Sequence, residues 1–252
     1  MAIGVRVSEL GEIEPLREMY REEMDCQIIH DSIHERAGWS KEFAFDDDGR
    51  VIGYGSVAVA GPWRERPAVY EFFVEPDYRR RSFEAFAKLL AVCGAKIIET
   101  QSNNPLLTVM LHVFASKVQA EAILFEDGFE TTLCPEGAGF RAAEAADVAV
   151  LERLELDENA GWVATMNEEI AGAGGVLYHY NRPYGDVYMK IAEPFRRLGL
   201  GAYLVQELTA VCRKRGCVPA ARCNVNNLAS RGTLQKDGFV PCGALIVGEL
   251  PE

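Results

Sequence analysis

The chain is short of every residue pattern that would hold a fold together by covalent or metal links. Its 7 cysteines are an odd number, and none is spaced Cys-x-x-Cys. That reads as reduced thiols, not a disulfide framework or a zinc site. With only 4 histidines no metal is expected. No apolar run reaches the length of a membrane span, and the opening MAIGVRVSELGEIEPL lacks an apolar signal core. The expected location is the cytoplasm. Positive charge is also scarce. Lys and Arg number 26 against 38 Asp and Glu, a formal net charge of -12. Such a chain repels nucleic acid and anionic membrane, so neither is expected as a partner; a cationic amine would be attracted. Nothing here excludes a homo-oligomer.

What the chain does have is itself, twice. VYEFFVEP from Val69 is answered by VYMKIAEP from Val187. Arg79-Arg80-Arg81 and Arg196-Arg197 follow in step, then Ala91-Val92-Cys93 and Ala210-Val211-Cys212. Asn103-Asn104 pairs with Asn226-Asn227, and Asp127-Gly128-Phe129 with Asp237-Gly238-Phe239. Order-preserving matches of this kind indicate two copies of one unit. The Pro/Gly-bearing stretch from Cys134 to Gly139 reads as the linker, dividing the chain into residues 1–136 and 137–252.

Each copy alternates strands and helices, a mixed α/β pattern. In the first, Val5–Val7 reads as a strand and Ile13 to about Ile33 as helix. The strands around Phe43 and Tyr54 are joined at Asp48-Gly49, a strong hairpin signal. In the second, Trp162–Met166 and Ile170–Tyr180 form the hairpin. Val187–Ile191 is the next strand, and Leu200, Leu204, Leu208 and Val211 mark a helix. Only one helix separates Phe140 from Trp162, where the first copy has room for two.

The sharpest motif is Arg196-Arg197-Leu198-Gly199-Leu200-Gly201-Ala202, between a strand and a helix. A helix start leaves backbone N–H groups unpaired and partly positive, and glycine lets an anion approach them closely. Arginines add donors suited to phosphate oxygens. The spacing is neither the dinucleotide fingerprint nor a P-loop.

This run, set in IAEPFRRLGLGAYL from Ile191 and followed by Asn226-Asn227, Ser230 and Asp237-Gly238-Phe239, resembles the GNAT superfamily of acyl-CoA-dependent N-acetyltransferases. The resemblance covers essentially all of the second copy and, more faintly, the first. It implies two GNAT-like domains, each a twisted mixed, largely antiparallel sheet flanked by helices. It implies acetyl-CoA as co-substrate, with no metal, and transfer of an acetyl group to a primary amine of a small molecule or peptide by direct attack. Arg196, Arg197, Leu198, Gly199, Leu200, Gly201 and Ala202 would hold the pyrophosphate. Backbone groups at Met189 and Ile191 would bind the pantetheine arm, and Asn227 and Ser230 would approach the far side of the coenzyme. The general base is expected at Asp186, where the family often has an acidic residue; as a turn residue Asp186 has an equally simple reading. The family's usual tyrosine acid falls at Leu234. That absence keeps a second reading open, a non-catalytic coenzyme A-binding or sensory module.

The first copy departs at the motif. Ser82 and Glu84 stand where Gly199 and Gly201 stand, and a carboxylate there repels a pyrophosphate. It is expected to be degenerate, with a structural or acceptor-binding role.

Overall fold

The computed structural model describes residues 3–28 and 31–251. The chain divides into two compact units, residues 1–122 with 243–252, and residues 123–242. The repeated sequences change over at the 134–139 linker, but the compact units are offset from it. Residues 123–136 lie in the second unit and 243–252 in the first.

The first unit runs β1 (Gly4–Ser8), α1 (Leu10–Met24), α2 (Asp31–His34), β2 (Ser40–Asp47), β3 (Arg50–Ala58), β4 (Ala68–Val74), α3 (Ser82–Cys93), β5 (Ile97–Gln101) and α4 (Pro105–Phe114). Strand β6 (Ser116–Asp127) then leads into the second unit. There follow β7 (Ala138–Ala142), α5 (Val148–Arg153), β8 (Trp162–Met166), β9 (Glu169–Leu177), β10 (Tyr184–Ile191), α6 (Leu200–Lys214), β11 (Val218–Asn224) and α7 (Leu228–Asp237). The last strand, β12 (Phe239–Glu249), ends in the first unit.

Strand order in the first unit is β1-β2-β3-β4-β5-β12, and in the second β6-β11-β10-β9-β8-β7. In each, the antiparallel run gives way to one parallel pair, β4 with β5 and β10 with β11. Apart from the extra helix α2 in the first, the same order of elements recurs in both halves and is the structural form of the repeat.

Alternating residues send each sheet's two faces into separate cores. Phe72 and Val74 of β4 pack with Phe86 and Leu89 of α3, while Phe73 packs with Ile13, Leu16 and Tyr20 of α1. In the second unit, Val187 of β10 meets Leu204 and Leu208 of α6 with Leu234 of α7. Full burial of each such side chain stabilises by about 1.5–3 kcal/mol, so α6 is held tightly against β10. The Asp48-Gly49 hairpin is present, with both residues at positive φ (56° and 84°) as a tight two-residue turn requires.

The single helix read from Ile13 to Ile33 is corrected. It ends at Met24, because Asp25 turns out of helical geometry at φ 23° and its N–H closes back on the Arg21 carbonyl. Among the described residues no helix is long and apolar enough to cross a membrane, and all seven cysteines are free.

Candidate functional site

Strands β10 and β11 pair in register only at Tyr184–Val218, Gly185–Pro219 and Asp186–Ala220. Beyond Asp186 they part, while β10 stays paired to β9 as far as Ile191 with Gly172. The parting leaves the β11-facing edge of β10 open over Met189 and Ile191. A cavity of about 330 Å³ opens there, lined by Asp186, Met189, Val205, Arg222, Ser230 and Leu234 among others. The sequence thus places the expected base at the apex of a split, and the expected pantetheine strand along its side. Leu234 is buried on the cavity wall, where a tyrosine acid was looked for.

Asp186 is 5% exposed. Its Oδ2 lies 2.9 Å from His179 Nε2 and 3.8 Å from Arg222 Nε. The turn reading is set aside, because Asp186 sits within β10 and is paired on both sides. Tyr180 adjoins this group and is buried, its hydroxyl facing the Asp186 carboxylate. Burial, then the Asp186 charge, pushes its pKa well above the usual tyrosine range. Tyr188 donates to Asp157 at 2.8 Å, and burial followed by that bond pushes it up to about 12.

The far end of β10 leads into the glycine turn. Arg197 and Gly199 are both at positive φ (67° and 82°), and α6 starts at Leu200 with no side chain capping its N-terminus. By contrast α7 is capped, since Asn227 accepts from the Ser230 N–H at 3.0 Å. Asn227, expected on the coenzyme, therefore already serves as a helix cap, while Ser230 lines the cavity. Leu200 and Ala202 are buried and anchor the turn; Leu198 is half exposed. A Cβ on Gly201 would meet Thr233 Cγ2 at 3.2 Å and Met189 Cε at 3.4 Å, so the helix start lies close against α7 and β10.

Cations reach the turn from the segment before it and from α7. Arg196 bends back, its Nε donating to the Ile191 carbonyl at 3.3 Å. Lys236 of α7 instead brings its Nζ to 3.7 Å from the Cβ position of Gly199. Sequence reasoning missed Lys236; its place one residue before the Asp237-Gly238-Phe239 block was the available signal. The uncapped amides, the positive-φ glycine and this ammonium together fit a diphosphate.

The corresponding place in the first unit is occupied by protein groups. Glu84 Oε1 accepts from the Ile3 N–H at 3.0 Å, and Arg81 binds both Glu84 oxygens while also reaching Asp47 at 2.6 Å. The Ile3 amide, then Arg81, hold the Glu84 carboxyl below its usual range. Of Arg79-Arg80-Arg81, Arg81 is thus engaged, and Arg79 donates to the Val74 carbonyl and pairs with Glu23. His34 is enclosed by Glu42 (2.9 Å) and Glu71 (3.1 Å); burial opposes its charge, but the two carboxylates outweigh it and push it up to about 9. His30, four residues before it, lies outside the described residues. Among the described residues no group of three acidic, His or Cys side chains could hold a metal ion.

Comparison with known proteins agrees with this geometry. Residues 125–239 match the family model described as the Acetyltransferase (GNAT) family, and this segment is a GNAT domain. Acyl transfer from acetyl-CoA is the general chemistry of that family. Similar folds over the whole chain include a GNAT-family acetyltransferase from Colwellia psychrerythraea (14% identity, TM-score 0.77, covering 98% of this chain and 100% of that one). They also include a tandem GNAT protein from the clavulanic acid biosynthesis pathway (12% identity, TM-score 0.63, 99% of each chain). A third is a GCN5-related N-acetyltransferase from Sphaerobacter thermophilus (12%, TM-score 0.63, 99% and 96%). At these identities the likeness establishes the tandem fold alone. No curated protein matches the chain by sequence.

Proposed function

We propose that residues 123–242 transfer an acyl group, acetyl in the first instance, from acetyl-CoA to a primary amine of a small molecule or peptide. One observation carries the reading. Strands β10 and β11 part directly beyond Asp186, and the strand that edges the resulting cavity leads straight into the uncapped glycine turn before α6. Five residue steps separate Asp186 from Ile191, about 17 Å of strand, on the order of an extended pantetheine arm.

Bound acetyl-CoA supplies an activated thioester. The chain supplies the rest. The amides from Gly199 to Ala202, with Lys236 and Arg197, hold the diphosphate, and the open edge of β10 at Met189 and Ile191 orients the arm. Asp186 takes a proton from the acceptor's ammonium, and the amine so freed attacks the thioester carbon, forming the C–N bond as the C–S bond breaks. His179, hydrogen-bonded to Asp186 and a fifth exposed at its side chain, passes that proton outward. With Leu234 in the tyrosine position, the departing thiolate is protonated by solvent, which the modest thiol pKa permits. The first unit has a structural or acceptor-side role and binds no coenzyme, because Glu84 and Arg81 already fill its helix start.

The test is thiol release from acetyl-CoA with a panel of primary amines, for the wild type and Asp186→Asn. The variant should lose about 10²–10⁴-fold in kcat with coenzyme affinity unchanged. Coenzyme binding without turnover of any amine would instead leave the non-catalytic reading standing.

A further inference from the structure

Arg222 lies two residues beyond Ala220, the last residue of β11 paired to β10, and so on the same face of the strand. Its side chain lines the cavity and is one-third exposed. Its guanidinium stands 5.9 Å from the centre of the Tyr180 ring, and its Nε is 3.8 Å from Asp186 Oδ2, beyond hydrogen-bond reach. Among the described residues nothing accepts a hydrogen bond from it. Its neighbours in the unit are engaged: Arg141 with Asp147, Arg213 with Asp127, Arg215 with Tyr178. Beside it Tyr180 is buried, its hydroxyl coupled to the Asp186 carboxylate. Asp186, meanwhile, has given one oxygen to His179.

A planar fork of N–H donors next to one carboxylate forms a poor pocket for a plain amine. The guanidinium opposes the attraction of Asp186 for an ammonium. The same pair suits a molecule carrying both charges, because a forked guanidinium matches an oxyanion in two parallel hydrogen bonds. We infer that the acceptor is an amine bearing an anionic oxygen group, carboxylate or phosphate, which Arg222 grips while Asp186 receives the ammonium. An amino-acid-like zwitterion has no net charge, so the overall charge of -12 does not oppose its entry. The inference rests on the acyl-transfer reading for the fate of the amine, but not for its binding.

Thiol release from acetyl-CoA should be compared for amino acids, their uncharged amides and phosphorylated amino alcohols. The wild type should prefer one anionic class over the amides by on the order of 10- to 100-fold in kcat/KM. The preferred class tells carboxylate from phosphate. Arg222→Met should bring that preference close to one, and Arg222→Lys, which keeps the charge without the fork, should retain part of it. Amides used as well as their anionic counterparts would overturn the inference, as would an unaltered preference in Arg222→Met. If no amine is turned over, calorimetry on coenzyme-loaded protein decides. Anion-dependent amine binding that is lost in Arg222→Met upholds the inference while the acyl-transfer reading falls; binding without such preference, or none, overturns it.

Discussion

Replacing Gly201 with a glutamate copies into the second unit the residue that stands at the matching place in the first. The expected result is a protein at least as stable as before that no longer holds coenzyme A well. The carboxylate introduced by Gly201→Glu would lie about 5 Å from a diphosphate seated at the start of α6. Two unit charges at that distance repel by about 3 kcal/mol at an effective dielectric of about 20. Physiological salt removes roughly half of that, and the two diphosphate charges restore it. The net loss of about 3 kcal/mol is on the order of 100-fold in Kd. Stability moves the other way. Replacing a helical glycine recovers about 0.5–1 kcal/mol, and an acidic group in a first turn adds about 0.3–1 kcal/mol. The atoms a Cβ would meet, Thr233 Cγ2 and Met189 Cε, are side-chain ends that can yield by a few tenths of an ångström. Calorimetric titration with coenzyme A and thermal melting of the same preparation read both quantities. Wild-type affinity at an unchanged melting temperature would refute the placement of the diphosphate.

Other consequences are as direct. Lys236→Ala should weaken coenzyme A binding about fivefold at low salt and less at about 0.5 M salt, since the ammonium acts through charge at an exposed turn; a salt-independent loss would mean that Lys236 acts through packing. Asp237 is buried, and that burial raises its carboxyl to about 7, while Thr131 donates to it at 3.1 Å. Its folded value lies above the unfolded one, so the folded state favours the proton. Stability is fully present below about pH 4 and is lost as pH rises through about 7. Asp237→Asn should therefore melt increasingly above the wild type between about pH 5 and 8, by up to roughly 4 kcal/mol. A gap that stays constant across that range would show that Asp237 does not titrate there.

Much of the site was written locally, and those parts are legible in the sequence. The glycine turn, the strand before it and the helix after it are consecutive, so Arg196 to Ala202 could be read as a helix start open to an anion. Asp186 was harder, because an aspartate after a Pro/Gly-bearing loop serves a turn as readily as a site; only the parting of β10 from β11 separates the two. Arg222 could not be read, and Lys236 was marked only by its place before the Asp237-Gly238-Phe239 block. Each reaches the site from an element distant in sequence, and an isolated cation at a helix end or in a strand looks like solvated surface. Arg196 was legible because it is adjacent in sequence to the turn; its Nε donates to the Ile191 carbonyl. The first copy was legible in its defect, since Glu84 stands in the motif itself. The residues that hold Glu84 in place through Arg81 and the backbone, Ile3 just before β1 and Asp47 of β2, lie far upstream. The break after Met24 escaped the helical periodicity because Leu16, Tyr20 and Met24 keep their spacing up to the turn. The exchange of the last ten residues into the first unit has no local signature, because β12 would read as the same strand in either place.

The central claim is best met by a crystal of the protein soaked with desulfo-coenzyme A. The account predicts one coenzyme per chain, its diphosphate on the amides of Gly199 to Ala202 beside Lys236 and its arm along Met189 and Ile191. A coenzyme at the start of α3, or an α6 turn left empty at saturating ligand, would contradict it.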